Sequence, residues 1–405
     1  MNEPLTSLAE RIISWQRQHG RHDLPWQNTQ DPYRVWLSEI MLQQTQVATV
    51  IGYFNRFTNS FPDVYSLANA SIEEVLLHWA GLGYYARARN LHACAKQVVV
   101  LWNGKFPTQA EALQTLPGIG PSTAAAIAAF CFGQRTPILD GNVKRVYCRF
   151  FSVEGDPSSR LVTQQLWRHA HEATPNIALT LNEPDAMARF TQGLMDLGAT
   201  CCTRRNPNCD RCPLRADCLA HLTQRTHELP SPRAIRLKPE RSTMMLIVST
   251  SIPNQAADNK TNKTSTTKAI LLYKRPNNGI WGGLWSLPEC QVNVGMAADS
   301  DSGVDADAET KVGAQSADLM VIQWCAKHGI LNPTILSMAA FRHTFTHFHL
   351  HIQPWSVEIN DINGFDMSAS NDTMQWVRVD QLHLFGMPAP VQNLLVNDLL
   401  LIMSA

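Results

Sequence analysis

Four thiols fall within seventeen residues, in the spacing Cys202-x6-Cys209-x2-Cys212-x5-Cys218. Thiolates this close on a loop-rich segment can wrap an iron–sulfur cubane or a tetrahedral zinc. Spacing alone does not choose between them. Disulfides are the plainer alternative, and a reducing cytosol opposes them. Two carboxylic acids form a second set. Asp140 stands in Pro137-Ile138-Leu139-Asp140-Gly141-Asn142-Val143, where a new helix is expected to begin. That position stabilises a carboxylate as the anion, although a simple N-cap would use the same residue. Helical spacing aligns Glu39 with Val35, Gln43 and Gln46, beside Trp36, Ile40 and Met41. Desolvation there would raise its pKa towards general-acid use, whereas the bland reading is a solvated polar face. Two carboxyls whose pKa values are pulled apart can protonate a leaving group and stabilise the cation it leaves behind.

The elements that must hold these groups change character along the 405 residues, a length that suits two domains. Apolar residues recur at helical spacing in Tyr33–Phe57, Ser71–Ala80, Arg87–Trp102, Ser122–Phe132 and Arg160–Ala173, so residues 1–225 read as an all-α domain. Three prolines and four basic residues between Leu229 and Arg241 mark a linker, set at 226–241. In 242–405 the stretches Ser242–Ser251, Ala269–Arg275, His351–Glu358 and Trp376–Val379 favour strands and Val391–Met403 a helix, which makes that domain α+β. Asn254–Lys268 and Ala297–Asp318 read as flexible polar insertions. Hydrophobic content of 44% and charged content of 17% describe a folded soluble protein. With no signal peptide and no membrane-length apolar run, the chain is expected in the cytoplasm, associated with the nucleoid if the cell is bacterial, or in the nucleus of a compartmented cell.

Net charge is zero, yet Thr200–Arg241 carries nine Arg/Lys against four acids. That imbalance suits phosphate contacts, or merely a solvated loop. Leu116-Pro117-Gly118-Ile119-Gly120-Pro121-Ser122 precedes an alanine-rich helix. Its glycines permit a tight turn whose bare amides can bind an anion, although an ordinary helix connection would look the same. Gly81-Leu82-Gly83-Tyr84-Tyr85 offers an aliphatic and an aromatic wedge, or simply a packed corner. In the second domain, Trp281–Trp285 and Phe341–His349 are the distinctive strings. Strand alternation would set His343, His347 and His349 on one face, and metal binding is the minor alternative there.

Taken together, these strings resemble the MutY-type adenine DNA glycosylases, within the helix–hairpin–helix, endonuclease III-like family. The resemblance spans nearly the whole chain. It implies a multidomain protein: an all-α helix–hairpin–helix glycosylase domain with a [4Fe–4S] loop, its hairpin at about 112–132, followed by an α+β Nudix-like domain that recognises 8-oxoguanine. It further implies that Glu39 protonates adenine and Asp140 stabilises the oxocarbenium ion, and that Cys202, Cys209, Cys212 and Cys218 hold one cluster, with Cys201 left outside. Gly118, Gly120 and Ser122 would grip a DNA phosphate. Gln44, Leu82 and Tyr84 would attend base flipping, and Asp196 would lie in the adenine pocket. Phe345, Thr346 and His347 would read the opposing base, with threonine standing where relatives often have serine.

The expected function is therefore monofunctional removal of adenine mispaired with 8-oxoguanine or guanine, by a monomer acting on double-stranded DNA. The alternative enzyme is an endonuclease III-like glycosylase-lyase. Such lyases have lysine where Ser122 stands and lack a C-terminal reader domain, although Lys144 offers a nearby amine. A non-catalytic iron–sulfur DNA-binding protein would have no use for Glu39 and Asp140. A nucleotide-hydrolase reading of 244–405 fails because no G-x5-E-x7-R-E-x2-E-E metal box follows Trp281–Glu289.

Overall fold

A computed structural model of the chain describes residues 7–27, 29–176, 183–232, 237–253, 266–290, 306–359 and 374–402. Chain contacts divide it into two compact units, 1–75 with 86–235, and 76–85 with 236–405.

The first unit is helical. In chain order the helices are α1 (Leu8–His19), α2 (Pro32–Leu42), α3 (Val47–Ser60), α4 (Val64–Asn69), α5 (Ile72–Trp79), α6 (Ala86–Trp102), α7 (Ala110–Leu113), α8 (Pro121–Phe132), α9 (Gly141–Phe150), α10 (Arg160–Ala173), α11 (Ala186–Asp196) and α12 (Leu219–Leu222); the last residues of α5 fall to the second unit. Ile12 and Ile13 of α1, Ala125 and Ala129 of α8, Val143 and Val146 of α9, and Phe190 and Leu194 of α11 share one buried core. Small alanines on α8 leave room there for the larger side chains of its neighbours.

The continuous spacing of Tyr33–Phe57 predicts one helix, but the chain breaks between Leu42 and Val47, and Gln44 takes a left-handed φ of 59°. A buried arginine stabilises the break. Arg87 donates through Nη1 to the carbonyls of Ile40 (2.9 Å), Met41 (2.8 Å) and Gln43 (2.6 Å), and through Nη2 to Thr45 Oγ1 (3.2 Å). These are the carbonyls that a helix end leaves without partners, and a cation suits that pole of the helix. Gln43 and Gln46 therefore do not continue the Glu39 face.

Part of the stretch marked by prolines and charge as a linker is packed instead. Leu229 is buried and its carbonyl accepts from Arg149 Nε at 2.8 Å, while Ser231 Oγ accepts the Gly155 N–H at 3.1 Å. The first strand already begins at Glu240, and residues 233–236 lie outside the described set.

The second unit is a mixed sheet. Its central strand β1 (Glu240–Pro253) runs parallel to β7 (His349–Glu358) and antiparallel to β2 (Thr266–Lys274). On β2 pair β3 (Trp285–Ser286) and β8 (Met374–Arg378); β4 (Glu289–Cys290) pairs with β1, and β5 (Thr334–Ser337) and β6 (Phe341–Thr344) with β7. Met244, Met245, Leu246, Ile247 and Val248 are all buried, the unbroken apolar run expected of a central strand covered on both faces. Helices α13 (Ala306–Lys327) and α14 (Ala389–Ile402) complete the unit.

Of the two supposed insertions, 254–265 and 297–305 lie outside the described residues. Thr266–Lys268 belongs to β2, and Ala306–Asp318 is helical where a flexible stretch was expected. Its Ala, Glu, Lys and Gln favour helix even without an apolar face. Among the described residues no helix is long and apolar enough to cross a membrane.

Candidate active site

Asp31 and Pro32 start α2, the Asp31 side chain accepting the Tyr33 N–H at 3.0 Å, and the Arg87 clamp ends it. Between them Glu39 borders a cavity of about 450 Å³. Its side chain is half-buried there. Burial first, and the nearby Asp140 carboxylate second, push its pKa up from 4.5 to about 8.

Asp140 is the N-cap of α9, its side chain accepting the Val143 N–H at 2.7 Å. Burial raises its pKa. The amides of Val143 and Asn142, the Asn142 side chain and the charge of Arg145 pull the other way. The two carboxyls thus differ in support: Asp140 sits among groups that favour its anion, whereas both forces on Glu39 favour the acid.

A chain of hydrogen bonds holds Asp140. Asn142 Nδ2 donates to Asp140 Oδ2 at 3.2 Å, and Arg145 Nη2 donates to Asn142 Oδ1 at 2.9 Å. Arg145 also donates to the carbonyls of Gly198 (2.5 Å) and Cys202 (2.8 Å). Gly198 has to be glycine, because a Cβ there would lie 2.7 Å from Asn142. Behind the aspartate, Ser122 Oγ donates to the Leu139 carbonyl at 2.6 Å. The serine expected at the phosphate hairpin is therefore also a brace for the segment leading to Asp140.

Asp196 stands behind the cavity rather than on it. Fully buried, it accepts from Arg21 N (2.9 Å), Arg21 Nε (2.7 Å) and Gln192 Nε2 (2.9 Å), with Arg21 Nη2 at 2.6 Å. Removing one partner from so enclosed a pair costs on the order of 3 kcal/mol. Arg21, Trp26, Gln27 and Gln192 do line the cavity. Sequence reasoning missed all four: Arg21 and Asp196 are 175 residues apart, and the one readable signal was the i, i+4 spacing of Gln192 and Asp196.

In the hairpin Gly118 has φ +77°, and a Cβ there would meet Asn90 at 2.8 Å. Gly120 is the N-cap of α8 and has open space around it, with Pro121 at the first helical position. This leaves the amides at the helix start accessible to an anion. Of the two wedge candidates, Tyr84 is 42% exposed and has φ 47°, whereas Leu82 is 6% exposed. Of the two, the tyrosine is the side chain at the surface.

Cys202, Cys209, Cys212 and Cys218 border one small hollow with Cys201, Arg149 and Arg215. Among the described residues no three His, Cys, Asp or Glu side chains converge tightly enough for a single ion. Four thiols around one hollow are the donor set that a [4Fe–4S] cluster takes. Buried Arg149 binds the rim, its Nη1 donating to Cys202 Sγ at 3.2 Å and to the Thr203 carbonyl at 2.7 Å. Cys212→Ser is expected to yield protein depleted of iron with a lowered Tm, since loop order and cluster binding are one equilibrium. Iron analysis and a melting curve check this; full iron content in the variant would contradict the ligand assignment.

In the second unit the string Phe341–His349 is a hairpin, not one strand: the Phe345 N–H donates to the Phe348 carbonyl at 2.9 Å and closes the turn. The alternation expected of His343, His347 and His349 therefore does not hold. Thr346 and His347 are exposed at the tip, with Thr346 Oγ1 3.3 Å from His347 Nδ1. Phe345 stacks on Phe348 at 4.6 Å between centroids and lies 5.4 Å from Trp281, and Lys238 Nζ donates to its carbonyl at 2.8 Å. The packed phenylalanines hold the two polar residues outward.

Residues 37–172 match the HhH-GPD superfamily base excision DNA repair proteins, residues 202–218 the iron–sulfur binding domain of endonuclease III, and residues 264–397 the NUDIX domain. The chain is 31% identical over 396 residues to an adenine DNA glycosylase of Buchnera aphidicola subsp. Baizongia pistaciae, with 97% of each chain covered. It is 38% identical to the adenine DNA glycosylase of Homo sapiens over 70% of this chain and 57% of that one. Among solved structures, that of a thermostable thymine-DNA glycosylase overlays with a TM-score of 0.47 at 26% identity, covering 53% of this chain and 95% of that one.

Proposed function

The chain belongs to the adenine DNA glycosylases, base-excision-repair enzymes that hydrolyse the N-glycosidic bond of adenine in DNA, and from that premise we propose that its substrate is duplex DNA in which the adenine faces 8-oxoguanine or guanine. The observation that supports the chemistry most is a pair of carboxyls, both raised in pKa by burial, of which Asp140 alone has hydrogen-bond donors and a cation that favour its anion. The adenine nucleotide leaves the stack and its base enters the cavity beside Glu39, while Tyr84 and Gln44 attend the strand it vacates. Glu39, protonated on arrival, gives its proton to adenine N7. As the glycosidic bond lengthens, positive charge grows on the sugar and Asp140, ionised, stabilises it. Water then adds to the sugar, its surplus proton returning to the Glu39 carboxylate, and yields an abasic site.

Cys202, Cys209, Cys212 and Cys218 would hold the [4Fe–4S] cluster, which would order the basic loop from which arginines such as Arg204 and Arg211 would meet phosphates. The hairpin amides after Gly118 would grip another phosphate without reading sequence. Lys144 Nζ is engaged with the Pro157 carbonyl (3.0 Å) and Thr163 Oγ1 (3.3 Å), which favours hydrolysis by water over attack by an amine. We take the enzyme to act as a monomer in the compartment that holds the DNA.

Cutting and reading fall on different units in this reading. Thr346 and His347, with Phe345 beneath them, face the opposing base. A glycosylase assay on duplexes pairing adenine with each base and with 8-oxoguanine, followed by alkali to reveal abasic sites, tests the substrate. Truncation near Arg241 is expected to keep adenine release while narrowing the preference for 8-oxoguanine over guanine. Equal preference in the truncated and full-length proteins would remove the reader role from residues 242–405.

A further inference from the structure

We infer that Asp196, which does not reach the cavity, sets the enzyme's choice of base by fixing which end of the Gln192 amide faces the substrate. This rests on the cavity receiving adenine, as above. A carboxylate can only accept hydrogen bonds. Asp196 is buried with donors on both sides, so whatever meets it must turn an N–H towards it. Gln192, one helical turn earlier on α11, therefore spends its Nε2 on Asp196 Oδ1 at 2.9 Å. The orientation of this amide follows from the charge of its partner and not from an arbitrary choice between O and N. Its Oε1 is left for the cavity that Gln192 borders.

A fixed acceptor there matches a base that presents a donor. Adenine has an exocyclic amine, while guanine and hypoxanthine have an oxygen at the same ring position, so either of these would set two acceptors against each other. Rejection of a wrongly paired polar edge discriminates more than a missing contact does. The contact also grows during the reaction. When adenine takes a proton at N7, its amine becomes a stronger donor, so the Gln192 carbonyl binds the protonated base better than the ground state and raises kcat as well as affinity. Arg21 is the second beneficiary. Its backbone N–H and guanidinium both lean on Asp196, which ties the 21–27 wall of the cavity to the α11 wall.

The test uses full-length protein and single-turnover rates on duplexes carrying adenine, unsubstituted purine or hypoxanthine at one position. The unmodified enzyme sets the adenine-to-purine ratio. Gln192→Met, which leaves the Arg21–Asp196 pair in place, is expected to lower that ratio by about tenfold, the scale of one lost hydrogen bond to a charged partner. Asp196→Asn adds a donor that lets the amide reverse. It should lower the ratio by a similar factor, improve hypoxanthine relative to adenine, and add nothing further in the double variant. Asp196→Asn also weakens the hold on Arg21, so its melting curve is recorded alongside. A merely structural aspartate would slow all three substrates equally while Tm falls, and that result overturns the inference. So does a Gln192→Met enzyme with an unchanged ratio. Failure of the unmodified protein to release adenine would instead overturn the function on which the inference rests.

Discussion

Asp140→Asn is expected to slow single-turnover adenine release by about 10³-fold, on the order of 4 kcal/mol of transition-state stabilisation. The substitution separates two jobs of one side chain. As N-cap of α9, Asp140 accepts the Val143 N–H at 2.7 Å, and asparagine caps helices about as well as aspartate. Stability should therefore change little, and DNA binding, assigned above to the hairpin and the arginines, should persist. Only the negative charge is lost. Asp140→Ala, which also loses the cap, should cost a further ~1 kcal/mol of stability without slowing the reaction much more. There is a second signature. The charge of Asp140 is one of the two causes that raise the Glu39 pKa, so in Asp140→Asn the alkaline limb of the pH–rate profile should move to lower pH. An asparagine variant with near-normal rates, or with that limb unmoved, would contradict the assignment.

What the sequence made legible was local. The cysteines announce themselves because a cluster can be wrapped by one short loop, and PILDGNV announces Asp140 because a helix start carries its own chemistry. Central strands such as Met244–Val248 were readable from their apolar composition. The corner at Gln43–Gln46 was not. It is made by Arg87, more than forty residues away, and nothing in the local period reveals a helix end capped from outside. The same holds for the cavity wall. Asp196 could be read as an acid near the site, but its pairing with Arg21, which places Gln192 on the cavity and Asp196 behind it, exists only once α1 and α11 pack together. Leu82 shows a related limit: a leucine on a glycine loop reads as a wedge, and whether it is buried depends on neighbours the loop does not contain.

Glu39→Gln keeps the size and the hydrogen-bonding shape of the acid but has no proton to give, so adenine release should fall by roughly 10²–10⁴-fold, the usual scale for a positioned general acid. The pH dependence identifies the role. With its pKa pushed up to about 8, Glu39 holds its proton through the neutral range, and the wild-type rate should fall as pH rises through about 8. An acid limb is expected from protonation of Asp140, and both limbs should report the pair jointly. Glu39→Gln should lose the alkaline limb and keep the acid one. The substitution that lowers activity should raise stability. The folded-state pKa lies above the ordinary 4.5, so the stability associated with this carboxyl is fully present below about 4.5 and is lost as pH rises to about 8. Glutamine cannot ionise, so the variant should melt higher than the wild type above pH ~4.5, with the gap widening up to pH ~8. A base that leaves without N7 protonation should restore much of the rate to Glu39→Gln and little to Asp140→Asn, because only the first variant lacks the proton. Equal rescue of both, or an alkaline limb that survives in Glu39→Gln, would move the general acid to another residue.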